Sequence, residues 1–358
     1  MNKELTSRQI TCMAALIMFG RLSLIGESTV GRDVWLVFLL VPILGLPLMK
    51  VYSCLRVDGN TTAIFHKSLG KIIGTIAIIS LSIVAIIIAA SGVTLFTVFI
   101  SSTPVENNIT IASIIIMSIA MGILLYVSEG TLGRSSGITF PFIIVLVITS
   151  ILFSLKHMDF GAILPILENG YSKVSEGVAL SLGLQVAPLI FLVLSTTVSM
   201  SPVKLGKALM IGLLAACMLL TLTHLRNLLI LGYPAVSLFR FPNYIALTQI
   251  QMGNLFQGME IIMTQAFLLC QPIKSAICLR FIQRILIEKF PKTHRVWPII
   301  LPTITGGLTL LNYGESYDMI ISNPVFRLSI SAIMIVTPVI MMLSLQIQNK
   351  TKRKQTAH

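Results

Sequence analysis

The chain has 358 residues, of which 55% are hydrophobic and 11% are charged, with a formal net charge of +13. Mean hydropathy is +0.92, far too apolar for a soluble domain, whose surface needs more charge. Nucleic-acid binding is excluded as the meaning of the positive charge by where the basic residues fall, as the order of the chain shows.

Charge-free runs long enough to cross a bilayer cover 72–105, 107–128, 135–155, 177–203, 296–314 and 328–349, and shorter ones cover 34–49, 208–225 and 241–259. They predict an all-α integral membrane protein with about ten helices, at 10–30, 34–52, 72–101, 108–127, 137–155, 178–200, 207–230, 255–279, 296–313 and 325–346. The first run leads into Arg21 and Glu27 without a small-residue cleavage site, so it reads as a retained helix, not a signal peptide. Five scattered cysteines (Cys12, Cys54, Cys217, Cys270, Cys278) have neither metal spacing nor a disulfide framework.

With the N-terminus cytoplasmic, inner segments hold 18 of the 26 basic residues and outer segments 5. The positive-inside rule then places both termini in the cytoplasm, and the basic residues become a topology signal that also meets anionic lipid. The longest loops are 53–71 inside, and 156–177 and 231–254 outside. The last is semi-apolar enough to form a lid. None is long enough for a soluble catalytic domain, and H-E-x-x-H, G-x-S-x-G and P-loop patterns are absent from the sequence, so no enzyme and no cofactor are expected.

One membrane domain, 1–358, is expected, with a first repeat at 1–155, a second at 156–346 and a basic tail at 347–358. Five spans placed twice give a five-plus-five inverted repeat. The first span is interrupted over Phe19-Gly20-Arg21-Leu22-Ser23-Leu24-Ile25-Gly26-Glu27-Ser28. The sixth, its counterpart, is interrupted by Ser181-Leu182-Gly183-Leu184-Gln185-Val186-Ala187-Pro188. Broken helices build substrate sites because freed backbone groups point at the ligand. A continuous helix with packing glycines is the other reading.

Several short motifs occur in order: Ser7-Arg8-Gln9, Gly31-Arg32-Asp33-Val34-Trp35, Leu164-Pro165 with Gly170, and Tyr233-Pro234 followed by Leu255-Phe256-Gln257-Gly258-Met259-Glu260. Together they resemble the B subunit of bacterial spore germinant receptors, a family similar to the amino-acid/polyamine/organocation (APC) transporters. The resemblance covers nearly the whole chain. It implies a leucine-transporter-like fold with a ligand site between broken helices 1 and 6. It also implies residence in the spore inner membrane, beside a large A subunit and a lipoprotein C subunit. This sequence departs from the family in having Gln185 where an acidic residue is common, and Arg21 where small or apolar residues are usual.

A zwitterionic amino acid needs donors for its carboxylate and acceptors for its ammonium. Half-helix N-termini and unwound carbonyls supply them. Gly20, Ser23 and Gly26, with Gly183 and Gln185 opposite, are therefore the expected ligand residues. Arg21 lies about 16 Å into the membrane at 1.5 Å per residue, where an unpaired arginine costs on the order of 2.5–3.5 kcal/mol. Glu260 is its expected partner, the pair filling a gap that holds sodium in transporters of this fold; a snorkelling Arg21 and a separately hydrated Glu260 are the alternative. Gln257, Glu260, Thr264 and Gln265 share a polar stripe that lines a cavity or bonds between helices. Ser91, Gly92 and Thr94 read as helix packing. His224 and Arg226, and Asp33-Val34-Trp35, read as interfacial anchors. The expected function is a receptor subunit that binds a small nutrient and triggers germination. The alternatives are a secondary amino-acid transporter and a scaffold with a degenerate pocket.

Overall fold

The structure, a computed structural model, describes residues 5–20, 30–57, 59–102, 109–249, 259–311 and 323–355. It is all-helical, and seven of the described helices are long and apolar enough to cross a membrane. Helix α1 spans Ser7–Phe19. It begins in a capping box, Thr6 Oγ1 accepting from Gln9 N (3.3 Å) and Gln9 Oε1 from Thr6 N (2.9 Å). Then come α2 (Val34–Cys54), α3 (Thr61–Leu69), α4 (Lys71–Ser101), α5 (Ile109–Tyr126), α6 (Glu129–Ser154) and α7 (Gly170–Ser181). A π-helical turn, Leu182–Val186, separates α7 from α8 (Leu189–Ser195). The chain continues through α9 (Pro202–Leu231), α10 (Ala235–Leu238), α11 (Pro242–Thr248), α12 (Met259–Lys289), α13 (Trp297–Leu311) and α14 (Pro324–Gln355).

Two elements form the centre. In α1, Ile10 and every residue from Cys12 to Phe19 are buried, against α9, α6 and α12. The α7–α8 segment is the most enclosed of the seven long apolar helices, with 94% of its apolar window inside the protein, whereas α2, α5, α6 and α14 bury less than half of theirs. Those outer helices present isoleucine and leucine to their surroundings, among them Ile43, Ile115, Ile138 and Leu328. In a bilayer these side chains meet acyl chains, so helices can be apolar all round and still have an outward face.

The basic end of the molecule holds a helix the sequence reading left as loop. In α3, Thr61, Phe65 and Ser68 turn one face inward, and Phe65 packs on Phe281 of α12 with ring centroids 6.3 Å apart. The N-cap residue Asn60 makes no side-chain cap. Instead the Glu288 carboxylate accepts from Thr61 N, Thr62 N (3.0 Å) and Thr62 Oγ1 (2.8 Å), an anion at the positive end of a helix. Arg284 joins this group to the rest of the basic end. It lies 3.7 Å from Glu129 Oε1 and 3.8 Å from Glu288 Oε1, and donates to Gly59 O (2.7 Å) and Thr197 Oγ1 (3.1 Å). Glu129 Oε2 in turn accepts from Thr197 N at 2.9 Å.

At the opposite end, three segments remote in sequence meet. Arg32 pairs with Glu168 at 2.9 Å, donates to Leu164 O and lies 4.9 Å from the centre of the Tyr233 ring. Asp33 Oδ1 accepts from Leu167 N (3.1 Å), and Asn169 Nδ2 donates to Val30 O (3.3 Å). Asp33 is buried, so it is a tie between segments and not the interfacial anchor the sequence suggested.

Candidate functional site

Helix α1 stops where its first glycine arrives. Thirteen residues at 1.5 Å each make about 20 Å, short of the roughly 30 Å hydrocarbon core, so α1 ends inside the membrane. Gly20 caps it, donating its N–H to Leu16 O at 3.0 Å. Gly20 also abuts α12: a β-carbon there would stand 3.4 Å from Cys270 Cβ and 3.5 Å from Cys270 O. Arg21, Ser23 and Gly26 lie outside the described residues, as does the side chain of Glu260 in the first turn of α12. The expected Arg21–Glu260 pair and the Gln257–Gln265 stripe lie outside them too.

The second break has a definite cause. Ala187 N donates back five residues to Leu182 O (2.8 Å), which widens the helix by one residue. Pro188 then has no N–H to offer the Leu184 carbonyl four residues earlier. The buried Lys274 donates its ammonium to that carbonyl at 3.4 Å. The Ala187 carbonyl lies 3.3 Å from the fully buried Tyr52 hydroxyl, which also stands 3.2 Å from Met334 O of α14. Gln185 is fully buried, and among the described residues neither atom of its amide has a hydrogen-bond partner. Gly183 faces α14, where any β-carbon would collide with Ser331 Oγ and Cβ.

Helix α12 brings the two breaks together. Cys270 touches the end of α1 and Lys274 touches the π turn, four residues apart on one helix face. Gln271 and Ser275 border the same face, both buried. Ser275 Oγ donates to Ala89 O of α4 at 3.4 Å, and Gln271 Nε2 has no hydrogen-bond partner among the described residues.

Sequence reasoning missed Lys274 because it ended the eighth span at 279, which put this lysine near a membrane surface. The helix runs to Lys289, so Lys274 is about 22 Å from either end at 1.5 Å per residue. What misled was the basic residue that follows. Arg280 looks like a boundary, yet it is buried and donates to Leu124 O (2.6 Å) and Val127 O (2.8 Å), closing the C-terminal carbonyls of α5.

His224 and Arg226 also differ from expectation. Both are buried, so neither anchors an interface. His224 stacks on Phe38, with centroids 5.0 Å apart. Arg226 donates to Ser150 Oγ (2.6 Å), Asn227 Oδ1 (2.7 Å) and Asn243 Oδ1. Asn243, in α11, brings the 231–249 segment onto Arg226 at this end of α9. On α4, Ser91 and Thr94 bond back to their own helix (Ser91 Oγ to Ile88 O 2.7 Å, Thr94 Oγ1 to Ala90 O 3.1 Å), as packing residues do.

The family profile described as spore germination protein, the spore permease family, matches residues 4–316. The chain belongs to that family. In this spore germination permease the match stops short of α14, the helix whose Ser331 closes over Gly183. Solved structures with the same fold include MhsT in complex with L-phenylalanine, 18% identical with a TM-score of 0.64, covering 95% of this chain and 89% of that one. Mhp1 in a closed conformation with bromovinylhydantoin bound is 12% identical with a TM-score of 0.58, covering 95% and 93%. A Na+-coupled sialic acid symporter in a substrate-bound outward-open state is 9% identical with a TM-score of 0.57, covering 93% and 78%. At these identities the likeness is one of fold, that of APC-type transporters. No curated protein matches the sequence significantly.

Proposed function

We propose that this spore germination permease is the B subunit of a germinant receptor in the spore inner membrane, with both termini cytoplasmic and with A and C subunits as partners. Its ligand is a small nutrient, an amino acid in our reading, held where the end of α1 meets the π turn. The observation that carries this is the single face of α12 that touches both breaks and places the buried ammonium of Lys274 on the Leu184 carbonyl. A ligand carboxylate has a cation to meet there, and a ligand ammonium would meet the carbonyls at the end of α1 and around Pro188, which keep a second lone pair. Gly20, Ser23 and Gly26 on one side, with Gly183 and Gln185 opposite, complete the proposed contacts, and the pairing of Arg21 with Glu260 is part of the same proposal. The neighbour MhsT is known with L-phenylalanine, which supports an amino-acid-sized ligand. Binding drives a signal only through unequal affinity for the conformers of the bundle.

The second reading is a secondary amino-acid transporter, favoured by the fold of its neighbours. Purified protein in proteoliposomes separates the two. Binding of labelled amino acids without saturable uptake is the expected result; saturable uptake establishes the transporter, and absence of binding removes both readings in favour of a scaffold.

A further inference from the structure

On the bilayer-facing side of the molecule, α5 and α13 enclose a groove of about 410 Å³. Its floor exists because Gly122 has no side chain. A β-carbon at Gly122 would lie 3.0 Å from Pro298 O, so the two helices touch there. Its walls are apolar and outward-facing, with Ile123 and Ile299 59% and 70% exposed. The groove is not polar along its length, but one end is. Arg295 and Tyr126 stand at that end, level with Trp297, whose indole N–H donates to Thr293 Oγ1 at 2.9 Å. Tyrosine and tryptophan at one level mark the headgroup region.

The charge at this mouth is of one sign. The segment 289–295 carries Lys289, Lys292 and Arg295 and no acid. The nearest carboxylates in sequence are engaged elsewhere, Glu288 at the start of α3 and with Arg284, and Glu129 with Thr197 and Arg284. A hydrocarbon-lined slot, open to the bilayer and ending in an exposed guanidinium and a phenol, fits an amphiphile with an acidic head. We propose that this groove binds one anionic phospholipid, its phosphate on Arg295 and the Tyr126 hydroxyl and one acyl chain along Ile123 and Ile299. Basic pockets between transmembrane helices at the headgroup level take such lipids.

The test is native mass spectrometry of the full-length protein released from micelles containing equal phosphatidylglycerol and phosphatidylcholine. The wild type is expected to retain phosphatidylglycerol preferentially. Arg295→Gln should reduce that preference about fivefold, the worth of one basic residue at an anionic surface. Thr303→Phe, an exposed position on the groove wall, should lower retention of both lipids by filling the slot. Both variants lie on the surface, and unchanged thermal unfolding confirms their folding. Equal retention of the two lipids by the wild type overturns the proposal, as does undiminished phosphatidylglycerol on Arg295→Gln. Displacement of the lipid by inorganic phosphate alone would also overturn it, because the acyl chain would then contribute nothing.

Discussion

Lys274 sits where a cation is most expensive, at the centre of a 31-residue helix and buried among other helices. A charge at that depth costs about 2.5–3.5 kcal/mol on the insertion scale, so its position needs a return. The structure supplies part of it in the Leu184 carbonyl, and a ligand carboxylate would supply more. Replacing Lys274 with Met keeps the volume and removes the charge. We expect ligand affinity to fall at least tenfold, about 1.4 kcal/mol, with protein yield and unfolding temperature unchanged or raised, since a desolvated ammonium is gone. Isothermal titration and thermal unfolding in detergent measure the two, and unaltered affinity would remove Lys274 from the site. At this scale the sequence was only partly legible. The glycines, the proline and the glutamine of the sixth span stood out as polar or flexible residues in apolar surroundings. Lys274 and Arg226 did not, because a lysine or arginine close to an apparent helix end looks like a surface residue until the fold shows what covers it.

The π turn is an element held open from two sides. Pro188 removes one backbone donor, and Tyr52 and Lys274 bond the carbonyls of Ala187 and Leu184. Helix α14 closes the third side through Ser331 on Gly183. Gly183→Ala is therefore expected to destabilise the protein by about 1–3 kcal/mol through overpacking. Adding Ser331→Gly should recover most of the loss, a coupling that a double-mutant cycle of unfolding free energies measures directly. Full additivity would mean that α14 does not rest on the turn. Elements were legible wherever apolar length decided them: α2, α4, α5, α9 and α13 fall close to their expected spans, whereas α1 stops at Phe19 and α12 runs on to Lys289. Helix α3 was missed for a physical reason: its N-terminus is capped by Glu288, more than 200 residues away in sequence, and no local signal announces a remote cap.

Across the whole molecule, the basic end is drawn together by Arg284, which bonds groups from α6, α12, the segment before α3 and the segment after α8. In the proposed receptor, opening of the central site toward that end would break these contacts. Arg284→Gln should accelerate amide exchange in 59–69 and 195–200 about tenfold, corresponding to about 1.4 kcal/mol of lost local stability, while residues 10–19 of α1 keep their protection. Hydrogen-exchange mass spectrometry reads both regions in one experiment, and uniform acceleration would indicate general destabilisation instead of a local latch. The fold class could be read from the sequence because charge-free length is a one-dimensional property. The contacts of Arg284 could not, because they join segments that only the folded chain brings near one another.

The far end of the molecule bears on how members of this family can be recombined. Arg32 holds Glu168, Leu164 and the ring of Tyr233, and Asp33 holds Leu167. Three stretches of sequence therefore behave as one joint, and a hybrid that imports only the 156–177 loop from a relative receives half of it. Exchange of these segments between family members has to carry residues 31–33, 164–169 and 233 as a single cassette.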